Sequence, residues 1–252
     1  MKINIVNFAS GRFVLSQKIQ NLYWSDCYPE AVVHSFNRED LLELRRVVKR
    51  KQIIEVLNVP RGDGLWAWKL LFINVVFSKC ETDDVVLYLD SGGLPIGNVD
   101  YIFDLIRAQG NFFAKVDAIE DESVCRNWLR TTNKYSSKQH LIDDGGLFLH
   151  KKWDKRHRKN LPDDLVQTAG GVQGWLVNHR NKEIINYLTD QISLSNYDDY
   201  TEITSMDYID HRHDQSVLSE FVEVEKLFVS PTMKNVLWHK GNVELEKAVW
   251  LK

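Results

Sequence analysis

Asp90 closes an unbroken apolar run, VVLYL (85–89), and Ser91, Gly92 and Gly93 follow at once. A carboxylate at the tip of a buried strand can hold a divalent cation, and a cation can hold a diphosphate. The small residues beyond it let a bulky ligand approach the backbone. The same DSGG also reads as an ordinary turn, because Asp, Ser and Gly are all turn formers. Farther along, DHRHDQS (210–216) crowds two histidines, two aspartates, an arginine and a glutamine together. In an extended segment His211 and His213 share one side and could act as metal ligands. The other reading is a helix start, with Asp214 near the positive end of the helix dipole and its neighbours in solvent.

Four further stretches carry candidate chemistry. RGDGLWAWK (61–69) offers Arg61 and Lys69 as phosphate partners, with Gly62 and Gly64 able to shape a loop over a ligand. Its tryptophans, Trp66 and Trp68, suit core packing more readily than a stacking platform. TAGGVQGW (168–175) brings Gly170 and Gly171, which allow backbone to line a pocket or simply to turn. HKKWDKRHRKN (150–160) is a basic run in a slightly acidic chain, either a solvated loop or a patch for an anionic acceptor or membrane surface. LWHKGN (237–242) sets His239 beside Lys240 and Gly241.

The elements that must position these residues follow from periodicity. Residues 2–8 alternate as a half-buried strand does, 31–36 reads as a second strand, and 85–89 as a central one buried on both faces. NFFAKV (111–116) is another strand. Helices are expected over 11–24, over 37–50 with Asn37 as N-cap, from about Leu65 through the apolar WAWKLLFINVVF, and over 98–109, 181–192 and 213–228. Strands alternating with helices predict an α/β domain with a mostly parallel central sheet flanked by helices.

Composition narrows the field. The chain has 252 residues, 44% hydrophobic and 27% charged, with a formal net charge of −3. That is ordinary globular usage, and no global basic field points to nucleic acid. Cys27, Cys80 and Cys125 are widely spaced and form no CxxC pair, which excludes a zinc ribbon and suits a reducing compartment. No run approaches the roughly 18 apolar residues that a membrane span needs, so any membrane contact is expected to be peripheral.

Taken in order, RGDGLWAWK, YLDSGG, TAGGVQGW and DHRHDQSVLS resemble a family of small bacterial and viral nucleotide-sugar glycosyltransferases of GT-A fold. Trp66–Lys69 keep that family's WxWK, with Leu70 in place of its proline. Tyr88, Leu89, Asp90 and Gly92 match YLDAG, with Ser91 for alanine. HRHDQS (211–216) matches without change. The resemblance runs from the first strand to about residue 220. It implies one GT-A domain over 1–252, with a Rossmann-like, nucleotide-sugar-binding half to about residue 120 and an acceptor-binding half beyond.

Carried over position by position, the resemblance makes Asp90 the first carboxylate of a metal-binding DxD motif. Gly92 stands at the third position, so the second carboxylate is missing and metal dependence stays open. A more distant similarity to retaining galactosyltransferases would make His239 a further metal ligand, although Gly241 falls one position early for their H-x-x-G. Phe8, Ala9 and Ser10 would lie against the nucleotide, with Ser91 and Gly92 beside the donor. Gly170 and Gly171 would line the sugar pocket, and Asp214 and Gln215 would sit at the reacting sugar and acceptor. Manganese, or magnesium, together with Arg61, Lys69 or Lys240 would stabilise the charge on the diphosphate.

The implied activity is transfer of a sugar, from a UDP-sugar in the first instance, to a glycan or glycoconjugate in the cytoplasm. Peripheral membrane contact would run through 150–160. Retention and inversion at the anomeric carbon are both open. Two other functions compete. A nucleotidyltransferase would want a glycine-rich basic loop after the first strand, of which Gly11 and Arg12 are a poor version. A non-catalytic carbohydrate or polyanion binder would explain the lost carboxylate at Gly92.

Overall fold

A computed structural model describes residues 1–115, 168–197 and 213–238. The chain opens as β1 (Ile3–Phe8), α1 (Val14–Cys27), β2 (Val32–Phe36), α2 (Arg38–Val47), α3 (Lys51–Leu57) and a four-residue turn, α4 (Gly62–Leu65). It continues through α5 (Trp68–Phe77), β3 (Val85–Leu89), β4 (Gly93–Pro95), α6 (Asp100–Gln109) and β5 (Asn111–Ala114). After residue 167 come β6 (Val172–Leu176), α7 (His179–Asp190), α8 (Leu194–Tyr197), α9 (His213–Val224), β7 (Val229–Ser230) and β8 (Val236–Trp238).

Six strands form one sheet in the order β2-β1-β3-β6-β5-β7, and β4 pairs with β8 in a small second sheet. β1 is parallel to β2 and to β3, β5 is parallel to β7, and β6 alone runs against its neighbours. The expected mostly parallel α/β sheet is therefore present. Beyond β5, Lys115 and Thr168 form an antiparallel bridge, and the Ala169 amide bonds the Ala114 carbonyl at 2.7 Å.

Alternation along the strands divides the core between the two faces. Val86 and Tyr88 of β3 point to one side, with Val6 and Phe8 of β1. There α5 packs, apolar on nearly every side, together with α7 and α9. Val85, Leu87, Leu89 and Ile5 point to the other side, against Tyr23 and Trp24 of α1 and Ile102, Phe103 and Ile106 of α6. Every side chain of β3 is buried, as expected of a central strand with helices on both faces of its sheet.

Asn37 caps α2 as expected. Its side chain accepts from the Glu39 and Asp40 amides at 2.6 and 3.2 Å, and Asp40 accepts from the Asn37 amide at 2.8 Å. The helix expected over 37–50 stops at Val47, where Val48 turns extended, and α3 begins afresh. The helix expected from about Leu65 begins at Trp68, because the residues before it turn with the opposite hand. VQGW, read with TAGG as pocket-lining backbone or a turn, belongs to strand β6. The last long helix ends at Val224 rather than near 228. No described helix is long and apolar enough to cross a membrane.

Candidate functional site

β1 and β3 are parallel neighbours, so their carboxyl ends lie side by side. A cavity of about 330 Å³ opens there, the size of a small-molecule pocket. Phe8, Ala9 and Ser10 line it from the tip of β1, and Asp90, Ser91 and Gly92 from the tip of β3. Phe13, Trp66, Trp68 and Trp238 give it aromatic walls, and Gly62 and Asp63 complete it.

Asp90 is held from several directions. The buried Tyr88 hydroxyl donates to Oδ1, and the Lys69 ammonium lies 3.3 Å from Oδ2. Burial, and then the Asp90 charge, push the Tyr88 phenol well above its usual range, so it stays a donor. The Asp90 amide donates to the Gly171 carbonyl at 2.8 Å, a consequence of β6 running antiparallel to β3. The Gln20 side chain donates to the carbonyls of Asp90 and Gly93 at 3.1 and 2.6 Å. Asn7 donates to Gln20 at 2.7 Å, and Gln17 donates to Asn7 at 2.9 Å. A chain of buried amides therefore braces the loop after β3 against α1 and β1. Ser91 adds a bond to the Phe8 carbonyl at 2.7 Å, tying the two strand tips together.

Behind the cavity lies a buried charge cluster. α9 starts at His213, which brings Asp214 to 3.1 Å from the Lys69 ammonium. Lys69 thus bridges Asp90 and Asp214, and its side chain is only 6% exposed. Burial alone would lower its pKa, but Asp214 and then Asp90 more than offset this and raise it. Burial pushes the Asp214 carboxyl up, Lys69 opposes, Asp90 adds, and the result is about 6. The cluster carries two carboxylates and one ammonium.

The two glycines of TAGG sit against these carboxylates. A β-carbon at Gly170 would come within 3.1 Å of Asp214 Oδ2, and one at Gly171 within 2.9 Å of Asp90 Oδ2 and of the Trp238 ring. Glycine is required there so that backbone can approach two charged oxygens.

The segment before α5 turns the wrong way for L-residues. Gly62, Asp63, Gly64, Leu65 and Trp66 all carry positive φ, at 59°, 53°, 108°, 52° and 59°. Each non-glycine there costs about 1–2 kcal/mol. Surrounding contacts hold the turn in place. Trp68 Nε1 donates to the Gly62 carbonyl at 3.0 Å, and Arg45 donates to the Asp63 carbonyl at 3.2 Å. Trp66 lies over Gly62, where a β-carbon would meet its ring at 2.5 Å, and stacks on His213 with centroids 5.5 Å apart.

The fold therefore gathers Phe8, Ala9, Ser10, Asp90, Ser91 and Gly92 around one cavity, with Lys69, Gly170, Gly171, Asp214 and Gln215 packed against them. Gly170, Gly171 and Asp214 do not line the cavity itself. Lys69, expected to face a diphosphate, is engaged by two carboxylates. Arg61 is exposed at the start of the left-handed turn. His213, one of the two candidate histidine ligands, is buried and bonds the Tyr197 carbonyl at 2.5 Å. His211, His239, Lys240, the basic run 150–160 and Cys125 lie outside the described residues. Sequence reading passed over Phe13, Asp63, Trp238 and the amides Asn7, Gln17 and Gln20. Polar amides at buried positions of a strand and a helix were the available signal for the last three.

Among the described residues no group of three metal-type ligands converges. Of the candidate ligands described, Asp90 lies on the cavity wall with its side chain 32% exposed, and His213 does not line the cavity. One carboxylate can suffice for a cation that is bound jointly with phosphate oxygens and water. The described residues thus fit a cation that arrives with a diphosphate.

No protein-family model and no curated protein matches this sequence. Among solved structures the chain is similar to the crystal structure of mouse xyloside xylosyltransferase 1 in its apo form. Identity is 9%, over 91% of this chain and 84% of that one, with a TM-score of 0.41. It is also similar to the crystal structure of a glycosyltransferase involved in the glycosylation of the major capsid of PBCV-1, at 11% identity, 91% and 93% coverage and a TM-score of 0.35.

Proposed function

We propose that the chain is a glycosyltransferase that moves a sugar from a nucleotide sugar, in the first instance a UDP-sugar, to a glycan or glycoconjugate acceptor in the cytoplasm. The observation that carries this reading is the cavity at the joined tips of β1 and β3, with Asp90 on its wall and the Lys69–Asp214 pair behind it. In α/β sheets ligands bind at the carboxyl ends of strands. The motif resemblance of WxWK, YLDSG and HRHDQS supports the same reading.

Each part of the site has a task in such a reaction. Phe8, Phe13 and the tryptophans suit the face of a base or the apolar face of a sugar ring. Ser10, Ser91 and Gly92 present small polar groups and room to a diphosphate. A divalent cation, manganese or magnesium, would be held by Asp90 and by His239, and would stabilise the charge that grows on the leaving diphosphate. Lys69 bridges Asp90 and Asp214 and offsets the repulsion between the two carboxyl groups. Asp214, with a carboxyl raised to about 6, is suited to accept a hydroxyl proton from an acceptor near neutral pH. Gln215 would hold the acceptor or the sugar beside it.

Incubating the protein with UDP- and GDP-sugars, with and without manganese, and following nucleotide release tests the reading. Release that depends on a glycan acceptor supports it. Nucleotide binding without any release would favour the non-catalytic binder, and neither binding nor release from any donor would sink it.

A further inference from the structure

Among the described residues Asp63 and Asp90 are the two carboxylates on the cavity wall, and they are held differently. Asp90 has both oxygens engaged, by Tyr88 and by Lys69. Asp63 accepts one bond, from the Ser10 hydroxyl to Oδ2 at 3.0 Å. Among the described residues no cation pairs with it, because the neighbouring Arg45 donates to its backbone carbonyl instead. A carboxylate offers about four lone-pair sites, so Asp63 keeps acceptor capacity toward the cavity. A carboxylate repels phosphate but attracts hydroxyl donors.

The backbone beneath Asp63 is fixed in a left-handed turn that is tied at Gly62 by Trp68 and at Asp63 by Arg45. Strain held in place at a cavity wall is a mark of a positioned functional group. On either side stand aromatic walls, Phe8 and Trp66 among them. Aromatic faces beside a carboxylate form the chemistry that binds a polyhydroxylated ring, with its C–H faces on the rings and its hydroxyls on the oxygens.

We propose that Asp63 is a specificity-determining residue that accepts hydrogen bonds from two adjacent hydroxyls, a vicinal diol, of the bound ligand. This rests on the nucleotide-sugar reading of the cavity and adds to it. The diol belongs either to the ribose of the nucleotide or to the sugar that it carries. The two share one chemistry and differ in which probe reports it.

Calorimetric titration with UDP, 2′-deoxy-UDP and UDP-glucose, each with and without manganese, tests the proposal on the wild type and on Asp63→Asn. Asparagine tolerates the left-handed backbone, so this change removes the charge and keeps the turn. If the ribose is read, the variant loses about tenfold or more in affinity for UDP and little for 2′-deoxy-UDP. If the transferred sugar is read, UDP binding is unchanged and UDP-glucose loses that factor. Ser10→Ala, which removes the hydroxyl that orients the carboxylate, should give a smaller loss on the same probe. The proposal is overturned if Asp63→Asn binds all three probes as the wild type does, or weakens UDP and 2′-deoxy-UDP equally. A loss that vanishes when manganese is omitted would also overturn it, by making Asp63 a cation holder. A wild type that binds none of UDP, GDP and their sugars would overturn the nucleotide-sugar reading itself, and this inference with it.

Discussion

Lys69 and Asp214 meet at 3.1 Å with both side chains almost wholly out of water, 6% and 9% exposed. The pair is far apart in sequence and joins α5 to the start of α9 directly behind Asp90. Removing one member leaves a buried charge unpaired. Lys69→Met should therefore cost about 3–5 kcal/mol of unfolding free energy. Asp214→Leu added to Lys69→Met should recover part of it. Urea titration of the four proteins of this cycle checks the point, and a coupling below about 0.5 kcal/mol would contradict a buried pair.

The pH dependence of stability follows from the sign of the Asp214 shift. Its carboxyl is raised from 3.8 to about 6, so the folded chain holds that proton more tightly than the unfolded chain. The contribution is fully present below about pH 4 and is lost as pH rises through 6, a change of about 3 kcal/mol. The groups facing Asp214 are Lys69 of α5, Asp90 at the end of β3 and Tyr197 of α8. Lys69 is shifted upward too, so its own contribution persists at neutral pH and fades only at high pH. The stability difference between wild type and Asp214→Asn, measured from pH 4 to 7, should fall with rising pH and level off above 6. A flat difference would remove Asp214 from the account.

Gly171→Ala should damage the site without a backbone penalty. The new methyl would lie 2.9 Å from Asp90 Oδ2 and from the Trp238 ring. Weakening of UDP binding by about tenfold or more is expected, the scale of one lost charge-assisted bond. Gly110→Ala is the control. It has φ +83° but open space around it, so it should cost about 1 kcal/mol of stability and leave UDP binding unchanged.

Gln20→Leu should loosen the loop after β3. It removes donors to the Asp90 and Gly93 carbonyls and one of the two acceptors of the Asn7 amide, which keeps Asn21. A loss of about 1–3 kcal/mol in thermal or chemical unfolding is expected. Unchanged stability would mean that the amide chain does not brace the loop.

Manganese should tighten UDP binding to the wild type, and Asp90→Asn should bind UDP equally with and without the metal. Equal enhancement in both proteins would move the cation away from Asp90.

Much of the frame could be read from the sequence. Alternation along 2–8 and the apolar run 85–89 announced β1 and β3, and Asn37 announced the cap of α2. Asp90 was legible because a strand of five apolar residues can only deliver its next residue to a sheet edge. β6 was not legible. Gly174 interrupts its apolar pattern, yet Ile106 packs where a β-carbon would stand, at 2.5 Å, so the residue that hides the strand is one that the packing demands. The left-handed turn was hidden for the opposite reason. Leu65 and Trp66 are poor residues for positive φ, and tertiary contacts overrule their preference. The Lys69–Asp214 pair could not be read, since no local pattern links two residues brought together only by the packing of α5 and α9.

The bridge between Lys115 and Thr168 has a consequence for the site. The rung pairs the last described residue before position 116 with the first described residue after position 167. Lengthening or shortening a segment whose ends are joined by such a rung changes its closing entropy only logarithmically. The rung fixes Ala169, and through it Gly170 and Gly171 beside Asp214 and Asp90. A change of length between residues 115 and 168 therefore leaves the placing of both glycines beside the cavity to the rung itself.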